Sequence, residues 1–343
     1  MQLLSRKQLL LSYWVATTTT RTKILEPPSI QDTTTPRPKR PYDAWARTVR
    51  RATQLQLQQQ PAVITPAALI RLAFHDAVTM AGSHGPNGSI RHELAWSENR
   101  ALAQPLALVQ TIYDDSIKDN NNNMNESIVV GSFADTIALV ACQAIEYSGG
   151  PHIPMRLGRI DRAVSDPYLL TAPLMRHTPR SRVTKTMPDA GLDSDGLRLF
   201  FHQRLGLTEA EFVALHGLHG LGHHVSLIGM DKACLRNLAR TCLENAPVLL
   251  PFVTPSVGRF SNDYFVALLN WNARRVELGQ VAFIPTDVAL VGDAGLRRHV
   301  QRFARDETLY ARTLVRAWQR LMEGTSFFSS SSFGATALTR ERY

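Results

Sequence analysis

The sequence predicts a mainly α-helical domain, on three observations. Apolar residues recur at spacings of three and four along most of the chain. Helix start and stop signals bracket those stretches. Alternating strand patterns are scarce. With 343 residues, 44% apolar and 20% charged, the chain has material for a large core. That composition excludes full disorder, a collagen-like chain and a disulfide mini-protein. No run of about 18 apolar residues predicts a transmembrane segment.

The elements follow in order. Thr65 is an N-cap and Pro66 the first helical residue of a helix running on as AALIRLAFHDAV. A second helix is expected over Glu93–Asp114. A third starts at Ser132, with Asp135 as its capping-box partner, continues through TIALVACQAIEY and stops at Gly149-Gly150. A fourth spans Asp195–Leu205 and ends at Gly206. Thr208 and Glu211 form another capping box, opening EAEFVALHGL. Later helices are expected over Asn262–Asn272 and Leu296–Met322. Three biased runs, Gln54–Gln60, Asn120–Asn123 and Ser329–Ser332, read as loops or tails.

Charge is unevenly spread. Residues 1–51 carry ten Lys or Arg against three acids, which is seven of the nine net positive charges. The first 25 residues contain no Asp or Glu and are rich in Leu, Arg and Thr. This segment reads as an organelle (plastid or mitochondrial) transit peptide, with a secretory signal or a plain tail as alternatives. TTTPRPKRP, residues 33–41, reads as a linker. The expected organisation is a basic N-terminal segment over 1–45, one domain over 46–323 and a Ser-rich tail over 324–343. The near-neutral body argues against nucleic-acid binding, which wants basic residues across the folded face. Oligomeric state is not legible.

Several residues stand out chemically, each beside an ordinary structural reading. Arg71, Phe74 and His75 sit at i, i+3 and i+4 and share one face of the first helix. A cation, a ring and an imidazole suit an active site; a helix edge with a snorkelling Arg is the plainer alternative. Asn99, in ELAWSEN with Glu93, has an amide able to accept an imidazole N–H and leave the other ring nitrogen basic. Both are otherwise surface residues. In ALHGLHGLGHH, four histidines crowd nine positions. Three readings stay open there: a zinc site, a single ligand His219 to haem iron, and a His-rich helix end favoured by the dipole. Asp287, in IPTDVAL, is either a carboxylate partner to a ligand histidine or a capping residue.

Taken together, the ordered pieces RLAFHDA, GPNGSIRHELAWSEN, FADTIALVACQAIEYSGGPHIPMRLGRID, LTEAEFVALHGLHGLG, FSNDYFVALL and PTDVALVGD resemble the plant-type haem peroxidase superfamily, nearest its ascorbate-peroxidase-like branch. They run from Thr65 to Met322. The resemblance implies distal and proximal helical halves sandwiching haem b. It implies His219 as the iron ligand, with Asp287 as its hydrogen-bond partner. It implies His75 as the acid–base toward hydrogen peroxide, Arg71 as the stabilising charge, and Asn99 backed by Glu93 as the group that keeps His75 basic. Phe74 would cover the distal haem face, and Phe252 is the candidate proximal ring.

Departures from the family shape the expected chemistry. The distal ring is Phe74 rather than Trp, and Ile228 stands where ascorbate enzymes carry an Arg. A small phenol-type reductant is therefore expected rather than ascorbate, as partner to hydrogen peroxide. A distal calcium set of Asp76, Gly85, Asn87 and Ser89 is implied only weakly, because Asn87 replaces a charged ligand. Cys142 reads as a core thiol, and Cys234 with Cys242 as a candidate pair under oxidising conditions. The alternative function is a catalytically weak or inactive homologue with a structural or interaction role.

Overall fold

The computed structural model describes residues 42–60, 64–79, 84–99, 101–122, 129–167, 187–188, 190–226, 248–253, 256–271 and 283–324. All lie in the unit Arg40–Tyr343. The transit-like segment, the Pro-rich linker, Ile228, Cys234, Cys242 and Ser329–Ser332 fall outside them. The described residues are mainly α-helical, as expected. No described helix is long and apolar enough to cross a membrane.

Helix α1 spans Asp43–Gln59 and buries Trp45, Val49, Thr53 and Leu57 at four-residue intervals. The Gln-rich run expected as a loop is the end of this helix through Gln59. Glutamine is a good helix former, and Leu57 anchors the last turns in the core. Asp43 to Trp45 belong to the helix too, and Trp45 donates from Nε1 to the Ser116 hydroxyl at 2.9 Å.

Helix α2, Pro66–Val78, begins as expected: the Thr65 hydroxyl accepts the Ala68 N–H. The helix expected over Glu93–Asp114 is corrected. Residues Ser89–His92 and Ser97–Asn99 form two 3-10 turns, and α3 runs Ala103–Asn122. Pro105 explains the late start, since proline fits only the first turn of a helix. Ala101, at φ 66°, turns the chain just before it. The start of the Asn run, Asn120–Asn122, ends α3 instead of forming a loop.

Helix α4, Phe133–Tyr147, is the centre of the first helical group. Its capping box joins Ser132 and Asp135, and twelve of its fifteen residues are buried. A helix apolar on all sides must be covered on all sides, and α1, α2 and α3 pack around it. Cys142 lies there as a free, buried thiol, and burial pushes its pKa up to about 12.

A second group follows. Helix α5, Ser194–Leu197, continues as a π-helical stretch over Arg198–Arg204. Helix α6, Glu209–His216, carries the expected Thr208–Glu211 capping box and leads into a 3-10 turn, Gly217–Leu221. A two-stranded antiparallel ribbon that the sequence did not suggest pairs β1, His223–Ser226, with β2, Val248–Pro251. Helices α7 (Asp263–Leu269), α8 (Pro285–Gly292), α9 (Ala294–Arg305) and α10 (Glu307–Met322) complete the group.

The single helix expected over Leu296–Met322 is thus two. Asp306 adopts an extended conformation and caps α10 by accepting the Leu309 N–H, the preferred place for a short acidic side chain. Arginines tie the two groups together. Arg204 donates to the carbonyl of Val78 at the end of α2, and Arg159 to that of Met322 at the end of α10. Between α2 and the α6 turn a cavity remains.

Candidate active site

The cavity measures about 370 Å³, within the size range of small-molecule and cofactor sites. One wall is α2, whose i, i+3, i+4 spacing turns Arg71, Phe74 and His75 into the space together. The opposite wall is the 3-10 turn after α6 with His219, backed by Phe252 from the end of the ribbon. Leu197, Phe201, Leu215 and Leu218 make the remainder mostly apolar.

On the α2 side, His75 Nδ1 lies 2.8 Å from Asn99 Oδ1. The Asn99 amide nitrogen donates to the Glu93 carbonyl at 2.9 Å. The amide oxygen must therefore face the imidazole, so Nδ1 carries the proton and Nε2 keeps its lone pair. Burial, then the Arg71 charge, lowers the His75 pKa to about 4, against the opposing pull of Asn99 and Glu98. Arg71 itself is anchored by donating to the Glu98 carbonyl at 2.8 Å.

Glu93 departs from its expected part. Its backbone carbonyl holds Asn99, while its carboxylate accepts the N–H of Asp166 at 2.8 Å. Burial raises that carboxyl to about 7.

On the other side, His219 Nδ1 donates to Asp287 Oδ1 at 2.8 Å. Asp287 is fully buried at the start of α8 and also caps that helix by accepting the Ile284 N–H at Oδ2. Burial pushes the Asp287 carboxyl up, but His219, His216 and Tyr264 outweigh it and leave the pKa below its ordinary value. Asp287 is thus both capping residue and imidazole partner, so the two sequence readings coincide. The Phe252 ring stacks on His219 with centroids 4.9 Å apart at 22°. Phe260, eight residues on, stacks on Tyr310 instead.

Sequence reasoning assigned no part to two further residues. Tyr264, on α7, donates from its hydroxyl to Asp287 Oδ1 at 2.6 Å. Its signal was the FSNDYFVALL motif, within which nothing marked the tyrosine as polar-facing. His216, buried in the cavity wall, is committed through Nδ1 to the Phe212 carbonyl. Its ring meets His219 edge-on at 5.5 Å. Gly217 between them is required by packing, since a Cβ there would meet the Tyr310 hydroxyl at 2.6 Å. The zinc reading of this His-rich stretch finds no support: among the described residues no group of three or more His, Cys, Asp or Glu is placed to hold a metal ion.

The loop after α2 gathers Asp76, Asn87 and Ser89. Asp76 accepts the backbone N–H groups of Asn87, Gly88 and Ile90. Asp166, which the sequence did not single out, accepts from Thr79, Asn87 and Ser89 side chains. Gly85 sits at φ 111°, its N–H on the Ala77 carbonyl. Protein donors thus occupy both oxygens of Asp76 and Oδ2 of Asp166, and burial pushes Asp76 up to about 6.

The residues present fit haem. One imidazole has a buried carboxylate on Nδ1 and only Nε2 left for a metal, and it faces an apolar slot. A second imidazole and a guanidinium stand on the opposite wall.

Residues 47–306 match the family model described as Peroxidase. The chain belongs to the plant-type haem peroxidase superfamily. Among this chain's relatives, cytosolic L-ascorbate peroxidase 1 of Oryza sativa subsp. japonica is 28% identical over 261 residues, covering 74% of this chain and 84% of that protein. Chloroplastic L-ascorbate peroxidase T of Arabidopsis thaliana is 29% identical over 266 residues, covering 74% of this chain and 54% of that protein. A Cryptococcus neoformans var. neoformans protein whose name carries the words heme-binding peroxidase is 31% identical over 205 residues, covering 56% and 53%. The chain spans about half the length of this fungal relative. These similarities place it in the ascorbate-peroxidase-like branch.

Proposed function

We propose that residues 46–323 form a haem-dependent peroxidase that reduces hydrogen peroxide and oxidises a small phenol-type donor in one-electron steps. One observation carries the reading. Two imidazoles stand on opposite walls of one apolar cavity, His75 on α2 and His219 on the turn after α6, each with Nδ1 tied to a buried side-chain acceptor and Nε2 left over. When bound, haem supplies the redox centre that accepts oxidising equivalents from peroxide and passes them on singly.

His219 would hold the iron through Nε2, and Asp287 would strengthen that hold by accepting from Nδ1–H. His75, neutral above about pH 4, takes the proton from the nearer peroxide oxygen at Nε2 and returns it to the far oxygen as the O–O bond breaks. Arg71 stabilises the negative charge that develops on the departing oxygen. Asn99 keeps the His75 ring in the tautomer this needs. Phe74 and Phe201 exclude water from the space between.

Titration with haemin tests the reading. The wild-type protein is expected to develop a Soret band, and His219→Ala to lose it or hold haem only weakly. An unchanged spectrum and unchanged peroxide reaction in that variant would reject His219 as the ligand. The donor is tested by steady-state turnover of guaiacol and ascorbate side by side. The apolar lining and Ile228 support guaiacol; a large preference for ascorbate refutes that choice. Haem binding without peroxide turnover would favour the inactive-homologue reading.

A further inference from the structure

Asp287 Oδ1 receives two hydrogen bonds. His219 Nδ1 donates at 2.8 Å, and the Tyr264 hydroxyl at 2.6 Å. The second carboxylate oxygen is held by the Ile284 N–H at 3.1 Å. A carboxylate has finite charge to share, so a short O–H donor on one oxygen weakens that oxygen as an acceptor for any other donor. Tyr264 is therefore in direct competition with His219 for the same lone-pair density.

The competition is built into the packing. Tyr264 is buried to 1% exposure and Asp287 completely, so water cannot replace the phenol. The Tyr264 ring is wedged edge-on between His219, at 6.2 Å and 78°, and Phe283, at 5.7 Å and 79°. Burial, then the Asp287 charge, raises the phenol pKa well above its ordinary value, so the hydroxyl remains a donor.

We propose that Tyr264 is a positioning residue that sets how strongly His219 donates to a bound metal, by drawing charge from the Asp287 oxygen that the imidazole N–H uses. This rests on the haem-peroxidase reading and deepens it. With the hydroxyl present, Asp287 pulls less on the Nδ1 proton and Nε2 is less basic. The more oxidised metal state is then less favoured. Removing the hydroxyl reverses each step.

The sign of the effect separates tuning from plain support. If Tyr264 only kept Asp287 in place, its loss would loosen the His219–Asp287 bond and act like loss of Asp287 itself. The experiment is spectroelectrochemical titration of the haemin-loaded full chain. Asp287→Asn is expected to move the midpoint potential positive. Tyr264→Phe is expected to move it negative, with the ferric form favoured about tenfold, or about 59 mV for one electron. No shift, or a positive one, overturns the proposal.

Should Tyr264→Phe fold poorly, 3-fluorotyrosine at position 264 supplies the opposite arm. Its more acidic phenol donates more strongly and should shift the potential positive; a negative shift or none counts against the proposal. A third readout needs no haem. In the ligand-free protein the His219 Nδ1–H proton resonance should move downfield in Tyr264→Phe, as its hydrogen bond to Asp287 strengthens. Failure of haem to bind while that resonance still moves would reject the peroxidase reading but keep the competition. Haem binding with an unmoved resonance and potential would reject the competition alone.

Discussion

His75 illustrates how burial sets the working range of a single residue. Exposed imidazole titrates near 6.5, which would leave an acid–base histidine half charged in mildly acidic solution. Burial and Arg71 move His75 to about 4. The neutral form is the one that accepts the peroxide proton, so the rate of peroxide reaction should hold level down to about pH 5 and fall through about pH 4. Stopped-flow recording of the Soret shift measures this directly. His75→Ala should slow the step by roughly 10²–10⁴-fold while haem still binds, the usual worth of general acid–base help. A variant as fast as the parent would make α2 mere scaffold. Asn99→Asp places a carboxylate on the imidazole N–H, which favours the charged ring, and should carry the acidic fall in rate to higher pH.

Asp135 shows the same economy at the level of an element. It closes the capping box of α4 at Ser132, accepts the backbone N–H groups of Gly158 and Arg159, and pairs with the Arg159 guanidinium at 2.8 Å. Both side chains are almost completely buried, at 0% and 2% exposure. Arg159 in turn donates to the carbonyl of Met322 at the end of α10, so one carboxylate links the start of the central helix to the last helix. Asp135→Ala removes a cap and the counter-charge of a buried arginine together. A loss of about 3–5 kcal/mol is expected in urea unfolding. A loss below about 1 kcal/mol would mean the pair is not what joins the two elements.

Across the whole molecule, buried titratable groups pull stability in opposite directions. His75 and His216 are both lowered to about 4 by burial. Unfolding lets them take up protons below about pH 6.5, so they lower stability as pH falls from there toward 4. Asp76 and Glu93 are raised to about 6 and about 7, again chiefly by burial. Folded, they hold protons that the unfolded chain releases, so they raise stability as pH falls toward 4. The two pairs nearly offset, but burial also lowers His84 and His299, which act as His75 and His216 do, so the haem-free protein should lose stability in urea between pH 7 and pH 5. Glu93→Gln removes one compensating group and should cost about 2 kcal/mol more at pH 5 than at pH 7. Equal cost at both values would show that Glu93 is already ionised in the folded state.

Legibility in the sequence followed the range of the interaction. Capping boxes at Ser132 and Thr208, the Thr65-Pro66 start and the shared face of Arg71, Phe74 and His75 depend on residues within four positions, and each is where the sequence predicted it. Pro105 carried the correct start of α3 in plain view, but a long apolar pattern outweighed it. The glutamines ending α1 misled because composition was read without the Leu57 anchor that packing supplies.

The site itself needed the third dimension. Asp287 lies 68 residues from His219, and Tyr264 23 residues from Asp287. The sequence alone determined the capped helices at Thr65, Ser132 and Thr208 and which side chains share a face of α2. The tertiary structure decided which partners share an oxygen, because pKa and hydrogen-bond competition arise from burial and distance, and neither exists until the helices close over the cavity.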